Sequence, residues 1–508
     1  EWYVDDAMKR VPILGRAGIS KVINGPIPYT PDGNPLIGPS PGLKNVFEAC
    51  VFTFGIAQGG GAGKVLAEWI TEGSTEWDMW SCDPRRFTAF ADDDYCQAKA
   101  AEVYGHEYAI HFPFYSWPAG RNKKRSPIHD KIIEKGGQMG AYNGWERANW
   151  FAKPGDDTSE ASTQTWKREG PWFQRIKEEC LAVNSDVGVL DLPGFARYHV
   201  GGVGAGDWLL SQIVGGLPAV NRISLGYFSD ERGRVLTEMS IMNFGKDEFT
   251  LITAGSAQWH DLEVLKKGIT EDSKINVVDQ TEEWFCLIVT GPKSRSLMSK
   301  ISNADLELPW LSLQRVKILN KDVLLARVSY AGELGWEIHV RKQDLPEVYD
   351  LVISEGATPF GMFALDSLRV EKGYRAWKGD LSTDYTILES GLGRFIKFDK
   401  AQSFPGKEAL LKEKQRGETK KFVTMIVEGN ECDAPYMSTV MFDGKIVGEV
   451  TSGAYGHRVG SSIALGMVIA DVAKPYQQVS IDIFGQSYNA IIQEPGPLWD
   501  SKNMALKS

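Results

Sequence analysis

Cysteine is scarce in this chain of 508 residues: the six are Cys50, Cys82, Cys96, Cys180, Cys286 and Cys432, with no close pair. Neither a disulfide framework nor a zinc knuckle is encoded, and a reducing compartment is expected. Long apolar runs are missing too. No stretch approaches the ~20 residues that span a bilayer, so no membrane span is expected, and the opening Glu1-Trp-Tyr-Val-Asp-Asp6 has neither the basic nor the apolar region of a signal peptide. There is no excess of positive charge. With 56 Lys and Arg against 66 Asp and Glu, the net charge of -10 offers no general attraction to a polyphosphate, which argues against nucleic acid as a partner. The seven histidines show no metal-ligand spacing, so all are read as structural or surface groups and no metal site is expected. No repeat of fixed period is visible. The absence of an initiating Met, followed at once by globular-looking sequence, suggests that something upstream was removed or never included.

What is present is a large globular composition, 43% hydrophobic and 24% charged, enough for two to four domains. Residues 1–95 read as the tail of an α/β domain. There the β-prone run 45–54 is followed by the glycine cluster 55–63 and a helically spaced segment 64–70, which predicts strand, glycine turn, helix. Residues 96–155, rich in aromatics, Pro and Gly, read as a connecting segment packed on its neighbours. From 156 to 410, β-like runs (249–253, 285–289, 323–328) alternate with helical ones (345–354, 363–372), implying a mixed α+β domain. Residues 418–500 hold short alternating strands broken by glycine turns, which suggests a small β-barrel.

Glycines between a strand and a helix let backbone N–H groups approach an anionic or electron-rich ligand at the positive end of the helix. The cluster at 55–63 is not a P-loop, because Gln58 stands where a glycine is needed and Val65 follows Lys64. By itself it is as readily a tight turn as a ligand site. The second cluster, Gly201 to Gly206, has Asp207 at the last dinucleotide position and reads as a plain strand-to-helix turn. The run Arg121 to Arg125 reads as a solvated basic patch, with a polyglutamyl tail or an acidic electron carrier as the functional alternative.

Residues 24–38 (NGPIPYTPDGNPLIG), Asp83-Pro-Arg-Arg-Phe87, Arg125-Ser-Pro-Ile-His-Asp130 and residues 143–151 (NGWERANWF) resemble the sarcosine and dimethylglycine dehydrogenases. Six further blocks are similar to the aminomethyltransferase of the glycine cleavage system: 188–192, 229–238, 329–338, 365–373, 404–408 and 448–453. The resemblance implies the end of an FAD-dependent amine oxidase domain, an aminomethyltransferase-like tetrahydrofolate domain and a C-terminal barrel. It further implies that Gly59, Gly60, Gly61 and Gly63 lie under the flavin edge, and that the ADP-binding unit of FAD lies before residue 1. The implied function is capture of the one-carbon unit of an N-methylated amino acid as 5,10-methylenetetrahydrofolate. An electron-transfer protein is a possible acceptor, and the mitochondrial matrix or bacterial cytoplasm is the expected location. The alternatives are a non-catalytic relative, like the pyruvate dehydrogenase phosphatase regulatory subunit, and a stand-alone folate protein.

Within that resemblance, a buried carboxylate is wanted to accept two N–H bonds from the amino-oxo edge of a reduced pterin. Glu337 is the candidate, Glu333 the nearby alternative, and Arg369 the expected counter-charge, though Arg369 also fits a structural salt bridge with Asp366. Glu238 is the candidate for proton transfer at a folate nitrogen, against a plain exposed carboxylate. Its neighbour Thr237 stands where relatives tend to have a second acid. Tyr330 is expected to line the channel and Trp377 to stack on the pterin or aminobenzoyl ring, although each residue type is more often core.

Overall fold

The computed structural model describes residues 2–109, 111–270, 272–429 and 431–508. Two antiparallel sheets dominate it. The first has five strands in the order Asn276–Asp279, Phe195–Gly201, Glu248–Ala254, Val235–Gly245, Arg222–Ser229. The second has six, in the order Leu313–Ile318, Lys321–Ala326, Gly335–Arg341, Trp284–Thr290, Gly188–Asp191, Thr358–Pro359, the last pair parallel.

Period-two alternation decides which face each side chain takes. On Gly335–Arg341, Trp336, Ile338 and Val340 enter a core shared with the helices Ser294–Ile301 and Leu345–Ser354. On Val235–Gly245, Met239 and Ile241 pack under the helix Ala205–Gln212. The inner faces meet at one end, where Ile223 and Met242 of the first sheet touch Leu313, Leu324 and Ala326 of the second. The segment after 128 joins the same core. Ile128, Trp145 and Ala148 pack with Val189 and Leu287, and the hairpin Gly137–Tyr142/Trp145–Phe151 lies against the helix Met362–Glu371.

The third body is a closed barrel of six strands between Lys420 and Ile492, filled by residues such as Met425, Val450, Ala464 and Ile481. Closure leaves no unpaired edge. An ionic seam joins it to the sheets. Arg458, its side chain 1% exposed, donates to Glu333 at 2.9 Å, to Glu371, and to the carbonyls of Ala331 and Leu368. Trp499 stacks on the guanidinium at 3.8 Å.

The glycine cluster departs from expectation. The strand before it is only Phe47–Cys50, and one helix runs from Gly55 to Glu72, so Gly59, Gly60, Gly61 and Gly63 lie inside the helix and not in a turn before it. All four are exposed, with nothing beyond the adjoining helix backbone within 4 Å of where a Cβ would stand. The positive end of the helix therefore falls at Gly55 and not after Gly63. The second cluster is the expected strand-to-helix turn: Gly202 has φ +105° and a Cβ there would meet the Lys274 carbonyl at 1.9 Å. The helices expected at 345–354 and 363–372 appear as Leu345–Ser354 and Met362–Glu371. Among the described residues, no helix is long and apolar enough to cross a membrane.

Candidate functional site

The facing walls of the two sheets carry opposed polar side chains. On the second sheet, register pairs Glu337 with Ala326 and Ile288, and His339 with Leu324 and Cys286. Leu324 and Ala326 touch the first sheet, so Glu337 and His339 face it as well. On the first sheet, Met242 shares its face with Ser240 and Glu238, and the register sets Tyr227 beside Glu238 and Arg197 beside Ile252. Two open depressions of about 570 and 520 Å³ lie elsewhere and contain neither Glu238 nor Glu337.

Three side chains bridge the walls in series. A guanidinium N–H of Arg197 donates to Nδ1 of His339 at 2.6 Å, and Nε2 of His339 lies 3.1 Å from Oε2 of Glu337. Arginine only donates, so Nδ1 accepts and the imidazole proton sits on Nε2, directed at the carboxylate. Burial, reinforced by the positive Arg197, pushes the His339 pKa down and keeps the ring neutral. Burial also lowers Arg197, to about 10. Glu337 retains 21% side-chain exposure, and Oε1 has no protein donor among the described residues. Cys286 comes close enough that one atom each of Cys286, Glu337 and His339 lie within 4.8 Å of one another. The histidines are thus not all bystanders. The spacing Glu337-x-His339 on a strand was the available signal, since period two puts both on one face.

On the opposite wall, Glu238 is packed about by protein yet keeps some accessible surface. Burial raises its pKa, against the lowering effects of the Tyr227 hydroxyl, which donates to it, and of nearby Arg375. A carboxyl held up in this way carries a proton at a pH where a solvated one has lost it. Tyr330 donates its hydroxyl to the Arg375 carbonyl at 2.7 Å, which sets it close to the same group. Thr237 points the other way. Its hydroxyl donates to Asp261 at 2.9 Å, and Asp261 also accepts from Thr253 at 2.6 Å and sits 2.8 Å from His260 Nδ1. A wholly buried carboxylate from a neighbouring helix therefore stands behind the position where a second acid was expected.

Three of the residues picked from sequence are otherwise engaged. Arg369 is not the partner of Glu337: it binds Asp366 at 2.7 Å, Asp380 at 3.2 Å, Ser452 at 3.1 Å and the Tyr374 carbonyl, which ties the helix Met362–Glu371 to the barrel. Glu333 is turned into the barrel seam with Arg458, where burial lifts its pKa to about 7. Trp377 meets Trp80 edge-on at 5.0 Å, with Lys378 over both rings and bound to Asp78 at 2.5 Å. The run at 121–125 is mostly ion-paired: Arg121 to Glu146, Lys123 to Asp92, Lys124 to Glu282, Arg125 to Asp130.

Residues 128–400 match the model of the GCVT N-terminal domain, more than half of the chain. The chain belongs to the glycine cleavage T-protein family. The GCVT match is flanked by the FAD dependent oxidoreductase central domain at 72–126 and the glycine cleavage T-protein C-terminal barrel domain at 420–500. Among curated relatives, dimethylglycine dehydrogenase of Rattus norvegicus, a mitochondrial protein, is 34% identical over 97% of this chain and 58% of its own length. Mitochondrial sarcosine dehydrogenase of Mus musculus is 28% identical over 99% of the chain and 60% of its own. The formaldehyde-forming 4-methylaminobutanoate oxidase of Paenarthrobacter nicotinovorans is 32% identical over 98% and 61%. The chain thus spans about three fifths of the length of these relatives. Aminomethyltransferase T from Bartonella henselae, a crystal structure, superposes with a TM-score of 0.65 at 20% identity, over 74% of this chain and 98% of that one, which supports the GCVT fold.

Proposed function

We propose that this GCVT chain is the folate-dependent capture module of an FAD-linked N-methyl amine dehydrogenase, acting on sarcosine or dimethylglycine. The observation that carries this reading is the pair of opposed carboxylates: Glu337, oriented by His339, and Glu238, held toward its protonated form. Glu337 fits a pterin because its Oε1 is free to accept while Oε2 is steadied. Tetrahydrofolate, when bound, supplies the nucleophilic nitrogens that take up the one-carbon unit. Glu337 accepts from its amino-oxo edge, Tyr330 lines the passage, and Glu238 holds or returns a proton at a folate nitrogen. Burial of Glu238, His339 and Arg197 lowers the local dielectric and strengthens these contacts. Arg369 shapes the site through the helix it fixes, and Glu333 and Trp377 support its two margins, the barrel seam and the segment 72–126.

FAD would be met by the bare backbone of Gly59, Gly60, Gly61 and Gly63, where the absent Cβ atoms leave room for a planar ring. The electron acceptor would be an electron-transfer protein or another acceptor, and the location a mitochondrial matrix or bacterial cytoplasm. The division proposed for the chain is 1–95 flavin domain, 96–155 connector, 156–410 folate domain and 418–500 barrel.

Calorimetric titration with tetrahydrofolate tests the reading. Wild type is expected to bind, and Glu337→Gln, which replaces an acceptor oxygen by a donor, to weaken binding by about 10- to 100-fold, or 1.5–3 kcal/mol for hydrogen bonds to a charged group. Failure of the wild-type chain to bind would overturn it and favour a non-catalytic relative.

A further inference from the structure

Arg147 stands on the hairpin strand Trp145–Phe151, in register with Gly140, with its guanidinium 4.0 Å from the centroid of the Tyr142 ring. Protein surrounds it on nearly every side, although part of its surface still meets water. Among the described residues it makes no hydrogen bond and no ion pair, unlike Arg197, Arg369 and Arg458, which are each bound. A desolvated guanidinium without a partner is costly, and its planar fork matches a carboxylate with two parallel bonds.

Its position relates it to the folate site. The Tyr142 hydroxyl lies 3.1 Å from Ser256 Oγ, just beyond the strand end whose Thr253 hydroxyl donates to the Glu238 carbonyl. Asp366, already occupied by Arg369, is near enough to be felt by Arg147 and Tyr330 without pairing with Arg147. Resting on the proposed folate function, we infer that Arg147, on its Tyr142 platform, is a carboxylate-binding point at the margin of the folate site. Two sources carry that chemistry: the glutamyl tail of tetrahydrofolate and the carboxylate of the N-methylated amino acid.

The test is equilibrium binding to the full 508-residue chain and to its R147Q and R147K variants. The probes are tetrahydrofolate, tetrahydropteroylamide, which lacks the glutamyl group, and N,N-dimethylglycine. R147Q is expected to lose at least tenfold affinity for a carboxylate-bearing ligand, with R147K losing less. Loss for tetrahydrofolate with tetrahydropteroylamide unchanged assigns the glutamyl tail; loss confined to dimethylglycine assigns the amino acid. Unchanged binding of all three overturns the inference. So does an equal loss for tetrahydrofolate and its amide, which would mark a packing role. If wild type binds neither folate, the proposed function falls, and the role of Arg147 is decided by dimethylglycine alone. Lack of wild-type binding there overturns it too.

Discussion

His339 transmits the positive charge of Arg197 to Glu337 without itself being charged. Its contribution is orientation, so the polarity of the two bonds matters more than the ring. Glutamine offers the same polarity, an oxygen toward Arg197 and an N–H toward Glu337. His339→Leu should weaken tetrahydrofolate by about fivefold, the ~1 kcal/mol of an average hydrogen bond, while His339→Gln recovers most of it. A 2-desamino analogue, lacking the group that Glu337 accepts from, should bind both variants alike. A second buried acid sets a pH dependence. Asp191 accepts from Ser126, its Oδ1 has no partner, and burial lifts its pKa to about 7. Between its ordinary value and about 7 the folded state holds a proton that the unfolded state has released, so stability falls as pH rises through that window. Asp191→Asn, followed by thermal unfolding, should be stabilising by on the order of a few kcal/mol at pH 8 and close to neutral at pH 4.

At the scale of elements, Gly361 shows how little room the site helix has. A Cβ there would lie 2.2 Å from the Asn149 carbonyl, while its N–H donates to the buried Glu179 at 2.8 Å. Gly361→Ala should push the helix Met362–Glu371 off the hairpin and cost about 1–3 kcal/mol in urea unfolding. Strands and helices of this kind were legible in the sequence because apolar alternation and helical apolar spacing are local: the helix at 345–354 and the barrel strands appear where their patterns put them. Glu337 was legible as a candidate from its polar position in a β-patterned run within a block that resembles the aminomethyltransferase, and Glu238 from that resemblance alone. Their partners were not. Arg197 reaches His339 across 142 positions, and Asp261 comes to Thr237 from another helix, contacts that only the folded sheets create. The glycine cluster misled because glycine propensity favours a turn, while the folded chain carries the helix from Gly55 straight through it.

At the scale of the molecule, the seam at Arg458 makes barrel and sheets depend on each other. Arg458→Met leaves Glu333 and Glu371 buried without their counter-charge, which should cost about 3–5 kcal/mol. Denaturant unfolding should then separate into two transitions, the barrel parting from the sheets. The opposite end of the chain behaves differently. Gly59, Gly60, Gly61 and Gly63 leave their helix with bare backbone, and only Ala62 and Val65 are buried along its length. At roughly 1 kcal/mol for each glycine relative to alanine, its own conformational preference runs against being helical. With so few apolar contacts, this stretch of helix is expected to fray before the barrel or the sheets do.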